Sequence, residues 1–170
     1  VRTSKRLRLD VLGEGPDRPA CEALVERHGL DDVVSFHGWQ PRERVQQFYR
    51  DADIFLFPSF REPGGNVIFE SMGHGLPLII SDRGGPASFV DDACAIRVHP
   101  ENPEQYATAL AAAITRLVED PTLRSRMGAA ARRRVAETGV WDRKVEQLEA
   151  LYGELLAPTG ATRSTGTMTR

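Results

Sequence analysis

Short continuous apolar segments recur along the chain, and each is bounded by turn-forming residues. They cover residues 7–12, 33–36, 54–57, 78–80 and 95–98. Runs of this length without strict polar alternation are typical of strands buried on both faces, as in parallel sheets. The pattern therefore predicts five strands of a largely parallel sheet.

Helix signals fill the segments between and after these strands. Asn102 and Asp120 are each followed by a proline, the arrangement of an N-cap residue before the first helical position. Trp141 stands at the start of the last helical pattern and is expected to pack, since it buries a large apolar area. Helices are predicted over residues 17–28, 41–50, from about 66, from 103, 121–136 and 141–156.

The alternation of strands and helices predicts an α/β domain. Because parallel strands need right-handed crossovers, we expect a Rossmann-like, doubly wound parallel sheet with helices on both faces. The 170-residue chain is long enough for one substantial core, so one domain is expected over residues 1–156. From residue 157 the composition shifts to Pro, Thr, Gly and Ser, which predicts a disordered tail over residues 157–170.

The composition excludes several classes of protein. The formal net charge is -2, with 27% charged residues of both signs interspersed, so no nucleic-acid partner is expected. The two cysteines lack zinc-type spacing, which fits a reducing compartment. No apolar run approaches the roughly 18 residues of a membrane span, and the first residues lack a signal-peptide stretch. A cytoplasmic protein is therefore expected.

Glycine-containing loops follow the first four predicted strands. They read "GEGPDR", "HGWQPRER", "PSFREPGGN" and "SDRGGPAS". Glycine lets a ligand approach the backbone and admits positive φ, so that successive N–H groups can turn toward an anion. Ligands of doubly wound sheets bind at the carboxyl ends of strands. These loops are therefore predicted to cradle phosphate groups.

The third loop leads directly into a helix that begins near Asn66, and the unpaired N–H groups of a helix start favour a diphosphate. Ile68 and Met72 can pack inward, and at about 100° per residue Glu70 then faces outward with Asn66. An outward carboxylate can accept two hydrogen bonds from the hydroxyls of a ribose. Glu62, on the turn itself, is expected to lie further along the ligand.

The segments "LRLDVLGEGP", "VVSFHGWQ" and "ADIFLFPSFREPGGNVIFESMGHGLPLIISDRGGPASFV" carry a family resemblance. They resemble the C-terminal domain of retaining, nucleotide-sugar-dependent glycosyltransferases of the two-domain GT-B fold, the group 1 or family 4 type with a glycogen-synthase-like donor site. The resemblance runs from Leu7 to Leu156. Its most specific element is the pair Glu62 and Glu70, with seven residues between them, followed by "GHGLP" and "GG".

The resemblance implies a role for each loop. Glu62 would contact the hydroxyls of the donor sugar and Glu70 would bind the ribose. The backbone at Trp39 and Gln40 would meet the nucleobase. The glycine-loop residues that would hold the diphosphate or the sugar are Gly13, Gly15, Gly64, Gly65, Asn66 and Val67. The donor would be a UDP or GDP sugar, transferred with retention and without an essential metal or other cofactor.

The sequence also departs from the family pattern. Family members carry an earlier strand and helix, with a Gly-Arg and a Lys that clamp the diphosphate, and an N-terminal acceptor domain. This chain contains none of them, so the isolated chain is expected to be inactive and to need that domain or a partner chain. Pro63 replaces a usual glycine, Gly64 a common aromatic residue and Ser88 a frequent glutamate.

Other interpretations stay open at this point. The chain could be a non-catalytic fragment, a subunit of a split transferase or an epimerase-like protein that shares the GT-B architecture. Dinucleotide binding is disfavoured, because Pro16 and Arg18 break the G-x-G-x-x-G pattern. His74 is expected to cap or pack. The three arginines at 132–134 are expected to form a solvated helix face and leave open a weak peripheral contact with anionic lipid.

Overall fold

The structure is a computed structural model that describes residues 7–62 and 64–156. Within these residues, strands and helices alternate through most of the chain and three helices close it. The strands are β1 (Leu9–Leu12), β2 (Val34–Gly38), β3 (Phe55–Phe57), β4 (Leu78–Ser81) and β5 (Ala95–Val98). The helices are α1 (Arg18–Arg27), α2 (Arg42–Asp51), α3 (Asn66–Gly73), α4 (Gly84–Phe89), α5 (Pro103–Glu119), α6 (Pro121–Thr138) and α7 (Trp141–Leu156). The tail predicted over residues 157–170 lies outside the described residues.

All strand pairs are parallel, and the five predicted strands are confirmed to within a few residues. β1 pairs with β2, while β3, β4 and β5 form a separate three-stranded sheet in that order. Within each sheet the neighbouring strands follow one another in the sequence. The α/β class with helices around parallel sheets is therefore confirmed.

β4 is the centre of the core, and all four of its residues are buried. Leu78 and Ile80 join one cluster with Ile68 and Met72 of α3. Ile79 points to the opposite face and joins a second cluster with Leu117 of α5 and other residues. Successive side chains of a strand point to opposite faces, so one short strand holds both layers of helices.

The two predicted proline-type helix starts are confirmed. The Asn102 side chain accepts a hydrogen bond from the backbone N–H of Gln105 at 2.9 Å. The Asp120 side chain accepts from the backbone N–H of Leu123 at 2.8 Å. Each cap satisfies an N–H group that the helix itself cannot pair.

The arginines at 132–134 form the predicted solvated face in part, since Arg132 and Arg133 are exposed while Arg134 is half-buried. Arg132 donates to the backbone carbonyl of His74 at 2.9 Å. Arg134 donates to the carbonyl of Phe89 at 2.6 Å and pairs with Asp91 at 2.7 Å. Two of the three guanidinium groups therefore also link α6 to the ends of α3 and α4, through carbonyls that are distant in sequence.

The last helix carries an uncovered apolar stripe. Trp141 is 79% exposed, so the prediction that it packs is wrong. Val145, Leu148, Tyr152 and Leu155 are also exposed and follow Trp141 at alternating spacings of four and three residues. Such spacing places these side chains on one face of a helix.

Among the described residues, no helix is long and apolar enough to span a membrane.

The contact between α6 and the turn after α3 generates a prediction about stability. A side chain at Gly128 would collide with the backbone carbonyl of Gly75, whereas a side chain at Gly153 of α7 meets no atom within 4 Å. Gly128→Ala is expected to destabilise the fold by about 1–3 kcal/mol through overpacking. Gly153→Ala is expected to be neutral or to stabilise by up to about 1 kcal/mol, because alanine favours helix.

Urea unfolding of both variants checks this expectation, with Gly153→Ala as the matched control for a Gly→Ala change inside a helix. Equal stability of the two variants would contradict the close approach of α6 to Gly75.

Candidate functional site

The loops that follow the strands meet in two pairs. The backbone N–H of Gly13, after β1, donates to the carbonyl of Gly38, at the end of β2, at 2.8 Å. The backbone N–H of Gly85, after β4, donates to the carbonyl of Glu62, after β3, at 3.0 Å. Carboxyl ends of parallel strands lie on one edge of a sheet, so each pair forms part of that edge. The structure thus brings the predicted residues together in two groups.

Gly65 makes the start of α3 available to a ligand. It has φ of 85° and is the N-cap residue. A Cβ atom on Gly65 would lie 3.4 Å from both the Glu62 Cγ and the Pro86 Cγ atoms, an ordinary contact, so it is the positive φ that favours glycine here. Since glycine has no side chain to accept from them, the first amides of α3 are not capped by their own N-cap residue.

Glu62 folds back over this turn. One of its carboxylate oxygens, Oε1, accepts a hydrogen bond from the backbone N–H of Gly64 at 2.9 Å. The amide of Gly64, predicted to hold part of the ligand, is therefore occupied by a side chain of the protein. The amides of Asn66 and Val67 lie beyond it in the first turn of α3.

The orientation of α3 agrees with the periodicity of its sequence. Ile68 and Met72 are fully buried, while Asn66 is exposed and Glu70 is partly exposed. Glu70 therefore lies on the side of the helix away from the core, as predicted. Its Oε2 atom accepts a hydrogen bond from the hydroxyl of Tyr49 on α2 at 3.4 Å.

Tyr49 is a residue of this site that the sequence did not reveal. The side chain is 6% exposed, and burial, followed by the charge of Glu70, raises the pKa of its phenol above the ordinary value. In the sequence it reads as one apolar position of α2, beside Val45 and Phe48. No local signal indicates that its hydroxyl meets a residue 21 positions later.

The prediction that the fourth loop forms a glycine cradle needs correction. Gly84 and Gly85 begin α4, and the N–H of Gly85 is used for the contact with the Glu62 carbonyl. Gly84 has φ of 71°, and a Cβ atom there would lie 2.9 Å from the same carbonyl oxygen. These glycines dock the fourth loop against the third loop, because only a residue without Cβ allows that approach.

The first loop is held by ion pairs around Arg18. Its guanidinium pairs with Glu14 at 2.7 Å and with Glu22 at 2.8 Å. The hydrogen bond with Glu22 and the charges of both carboxylates raise its pKa. Gly13 has φ of 123°, and both Gly13 and Gly15 are exposed with open space at the Cβ position.

The second loop places its two predicted residues differently. Trp39 is 76% exposed. Gln40 turns inward and donates from Nε2 to the carbonyl of His37 at 2.6 Å. His37 is held in turn by Asp10 of β1 at 2.7 Å. The side chain of Gln40 thus contacts the backbone at the end of β2, while the Trp39 ring is exposed.

His74 has the capping and packing role predicted for it. Its backbone N–H donates to the carbonyl of Glu70 at 3.1 Å, at the end of α3. Its Nε2 atom lies 2.7 Å from the side-chain oxygen of Gln46, and its ring stacks on Tyr49.

Comparison with known proteins decides the family. Residues 2–134 match the family model described as "Glycosyl transferases group 1". The chain belongs to the group 1 glycosyltransferases. The resemblance that rests on Glu62, Glu70 and the glycine loops is therefore confirmed at the level of the family.

Individual similar proteins agree with the same assignment. The lipopolysaccharide core biosynthesis glycosyltransferase LpsD of Rhizobium meliloti (strain 1021) is 37% identical over 132 residues, which is 76% of this chain and 36% of LpsD. Sucrose-phosphate synthase from Thermosynechococcus elongatus has a TM-score of 0.72 at 32% identity, over 88% of this chain and 39% of that one.

The pneumococcal O-GlcNAc transferase GtfA, solved in complex with UDP and GlcNAc, has a TM-score of 0.71 at 25% identity. The match covers 89% of this chain and 30% of GtfA. These structures place the chain in the GT-B fold, and the chain spans about a third of the length of the relatives that it matches.

The contact between the third and fourth loops generates a second prediction. Gly84→Ala is expected to lower the free energy of unfolding by about 1–2 kcal/mol or more, because alanine is disfavoured at positive φ and its Cβ would press on the Glu62 carbonyl. Gly15→Ala serves as the control, since its Cβ would meet no atom within 4 Å.

Chemical denaturation of the two variants beside the unaltered chain is the measurement. If Gly84→Ala were as stable as Gly15→Ala, the described docking of the two loops would be wrong.

Proposed function

We propose that this chain is the donor-binding half of a retaining glycosyltransferase that takes a sugar from a UDP or GDP sugar. One observation carries the proposal: α3 opens from the left-handed Gly65, with the carboxylate of Glu62 before it and that of Glu70 one turn beyond it. The complex of GtfA with UDP and GlcNAc gives a precedent for this ligand class in a protein of the same fold.

The diphosphate would bind at the start of α3. The amides of Gly65, Asn66 and Val67 stand at the positive end of the helix dipole, where an anion is favoured. The amide of Gly64 joins them only after it exchanges its hydrogen bond with Glu62 for one with the ligand. A donor sugar whose hydroxyl donates to Glu62 would drive that exchange, which couples sugar binding to diphosphate binding.

The same amides would assist the transfer step. When the bond between sugar and diphosphate breaks, negative charge increases on the leaving diphosphate. Backbone N–H groups that are already oriented stabilise that charge without reorganisation, and such electrostatic stabilisation is often among the largest catalytic effects. Glu62, at the other side of the turn, would position the sugar ring. We expect that this transfer needs no essential metal.

Two features support the view that the chain supplies only half of a cleft. It spans about a third of the length of its relatives, and the apolar stripe of α7 is exposed from Trp141 to Leu155. A transferase must also hold an acceptor against the donor, and this proximity can supply roughly 7–11 kcal/mol of barrier lowering. The acceptor-binding part would come from the rest of the protein or from a partner chain.

Calorimetric titration with UDP and GDP tests the assignment of Glu70. Glu70→Ala is expected to weaken binding of the preferred nucleotide by about tenfold or more, because hydrogen bonds to a charged group contribute about 1.5–3 kcal/mol. Glu149→Ala on α7 is the matched control, since it removes an exposed glutamate from another helix. EDTA is expected to leave the affinity unchanged.

If Glu70→Ala binds the nucleotide as tightly as the unaltered chain, Glu70 does not bind the ribose. Affinity that disappears with EDTA would instead show that a metal carries part of the diphosphate binding.

The proposal also predicts that the purified 170-residue chain binds a nucleotide sugar but does not transfer it to an acceptor. Chromatography measures the transfer rate as the release of free UDP or GDP from the matching sugar donor. The reaction is run with and without candidate acceptors. A sustained acceptor-dependent rate from the chain alone would show that the donor half is sufficient.

A further inference from the structure

A buried tyrosine on α2 reaches the glutamate that we assign to the ribose. Tyr49 meets Phe55 edge-on, with 5.8 Å between ring centroids. It stacks on His74 with 5.4 Å between centroids and an interplanar angle of 25°. Rings packed on two sides have little rotational freedom. The direction of the Tyr49 hydroxyl is therefore set by the core.

That hydroxyl donates to the Oε2 atom of Glu70 at 3.4 Å. A buried phenol needs a partner, because an unpaired polar group in the interior is costly. Burial and the nearby carboxylate raise the pKa of Tyr49, so the phenol is protonated and acts as the donor at neutral pH. A carboxylate offers about four acceptor positions, so Glu70 keeps capacity for a second partner.

A second pair holds the tyrosine ring from its other side. The Nε2 atom of His74 lies 2.7 Å from the side-chain oxygen of Gln46, within hydrogen-bond distance. The backbone N–H of His74 donates to the carbonyl of Glu70 at 3.1 Å. Glu70 is therefore contacted in two places. Tyr49 of α2 meets its carboxylate, and His74, which is paired with Gln46 of α2, meets its backbone carbonyl.

We propose that Tyr49 is a positioning residue for nucleotide binding, whose hydroxyl holds the Glu70 carboxylate where it accepts both hydroxyls of a ribose. The site then selects ribonucleotides over 2′-deoxyribonucleotides. This inference rests on the proposed function, which assigns Glu70 to the ribose. A free glutamate side chain loses rotational freedom when it binds, and one that is already held by a donor loses less.

The length of the Tyr49–Glu70 contact fits this role. At 3.4 Å it exceeds the usual O–H···O distance of about 2.5–3.0 Å. Hydrogen bonds within functional sites are often long in the free protein and tighten in the complex. Glu70 can thus shift toward a ligand and remain within reach of the donor.

Tyr49→Phe tests the proposal because it keeps both ring contacts and removes only the hydroxyl. UDP and 2′-deoxy-UDP are titrated into the full 170-residue chain, or GDP and 2′-deoxy-GDP if GDP binds better. Tyr49→Phe is expected to weaken binding of the ribonucleotide about three- to tenfold, the effect of one hydrogen bond. Binding of the deoxynucleotide, which keeps only the 3′-hydroxyl, is expected to weaken less, so the ratio of the two affinities falls.

Tyr106→Phe is the matched control. This tyrosine of α5 also uses its hydroxyl, in a hydrogen bond with the buried Ser81. Loss of the Tyr106 hydroxyl is expected to lower the free energy of unfolding without changing the ratio of ribonucleotide to deoxynucleotide affinity. A merely structural role for Tyr49 predicts the same behaviour as this control. In the double variant Tyr49→Phe, Glu70→Ala, the tyrosine change is expected to have no further effect, since it acts through Glu70.

The outcomes separate this inference from the proposed function. If Glu70→Ala weakens nucleotide binding but Tyr49→Phe leaves the ratio unchanged, the positioning role is overturned and the ribose assignment stands. If Glu70→Ala leaves binding unchanged, the ribose assignment fails and this inference fails with it.

Gln46→Ala takes the place of Tyr49→Phe if that variant does not fold, because it frees the imidazole that holds the Tyr49 ring. A fall in the ratio then supports the inference, and an unchanged ratio overturns it.

Discussion

The burial of one face of α3 is the constraint on which the candidate site depends. Ile68 and Met72 are fully buried and pack in the same cluster as Leu78 and Ile80 of β4. Removing such side chains from water is worth about 1.5–3 kcal/mol each, so rotation of the helix about its axis is strongly opposed. With that face fixed, the first amides of α3 open toward the edge where the strands end, and Glu70 lies away from the core.

Glycines then determine how closely the loops approach one another. Gly65 allows the left-handed turn that opens α3, and Gly84 allows the fourth loop to rest on the carbonyl of Glu62. Only part of the glycine backbone is therefore available to a ligand. The amide of Gly85 is used within the protein, and that of Gly64 is paired with the carboxylate of Glu62. This division explains why a glycine-rich loop is not by itself a phosphate site.

The charged and aromatic surface shows the same dependence on distant contacts. Arg132 and Arg134 donate hydrogen bonds to carbonyls at the ends of α3 and α4 and so link α6 to both helices. Trp141, by contrast, is largely exposed on α7. The group 1 glycosyltransferase fold of this chain thus has a well-packed centre around β4 and one apolar helix face that its own described residues leave uncovered.

The sequence alone determined the five strands, every helix except α4, and the local direction of the side chains on α3. Strands, helix caps at Asn102 and Asp120, the start of α3 and the outward position of Glu70 all depend on residues within a few positions of one another. The tertiary structure decided the hydrogen bond from Tyr49 to Glu70, the docking of Gly85 on Glu62 and the partners of Arg134. These contacts join residues far apart in the chain, and they exist only because packing around β4 brings separate elements together, which local periodicity does not encode.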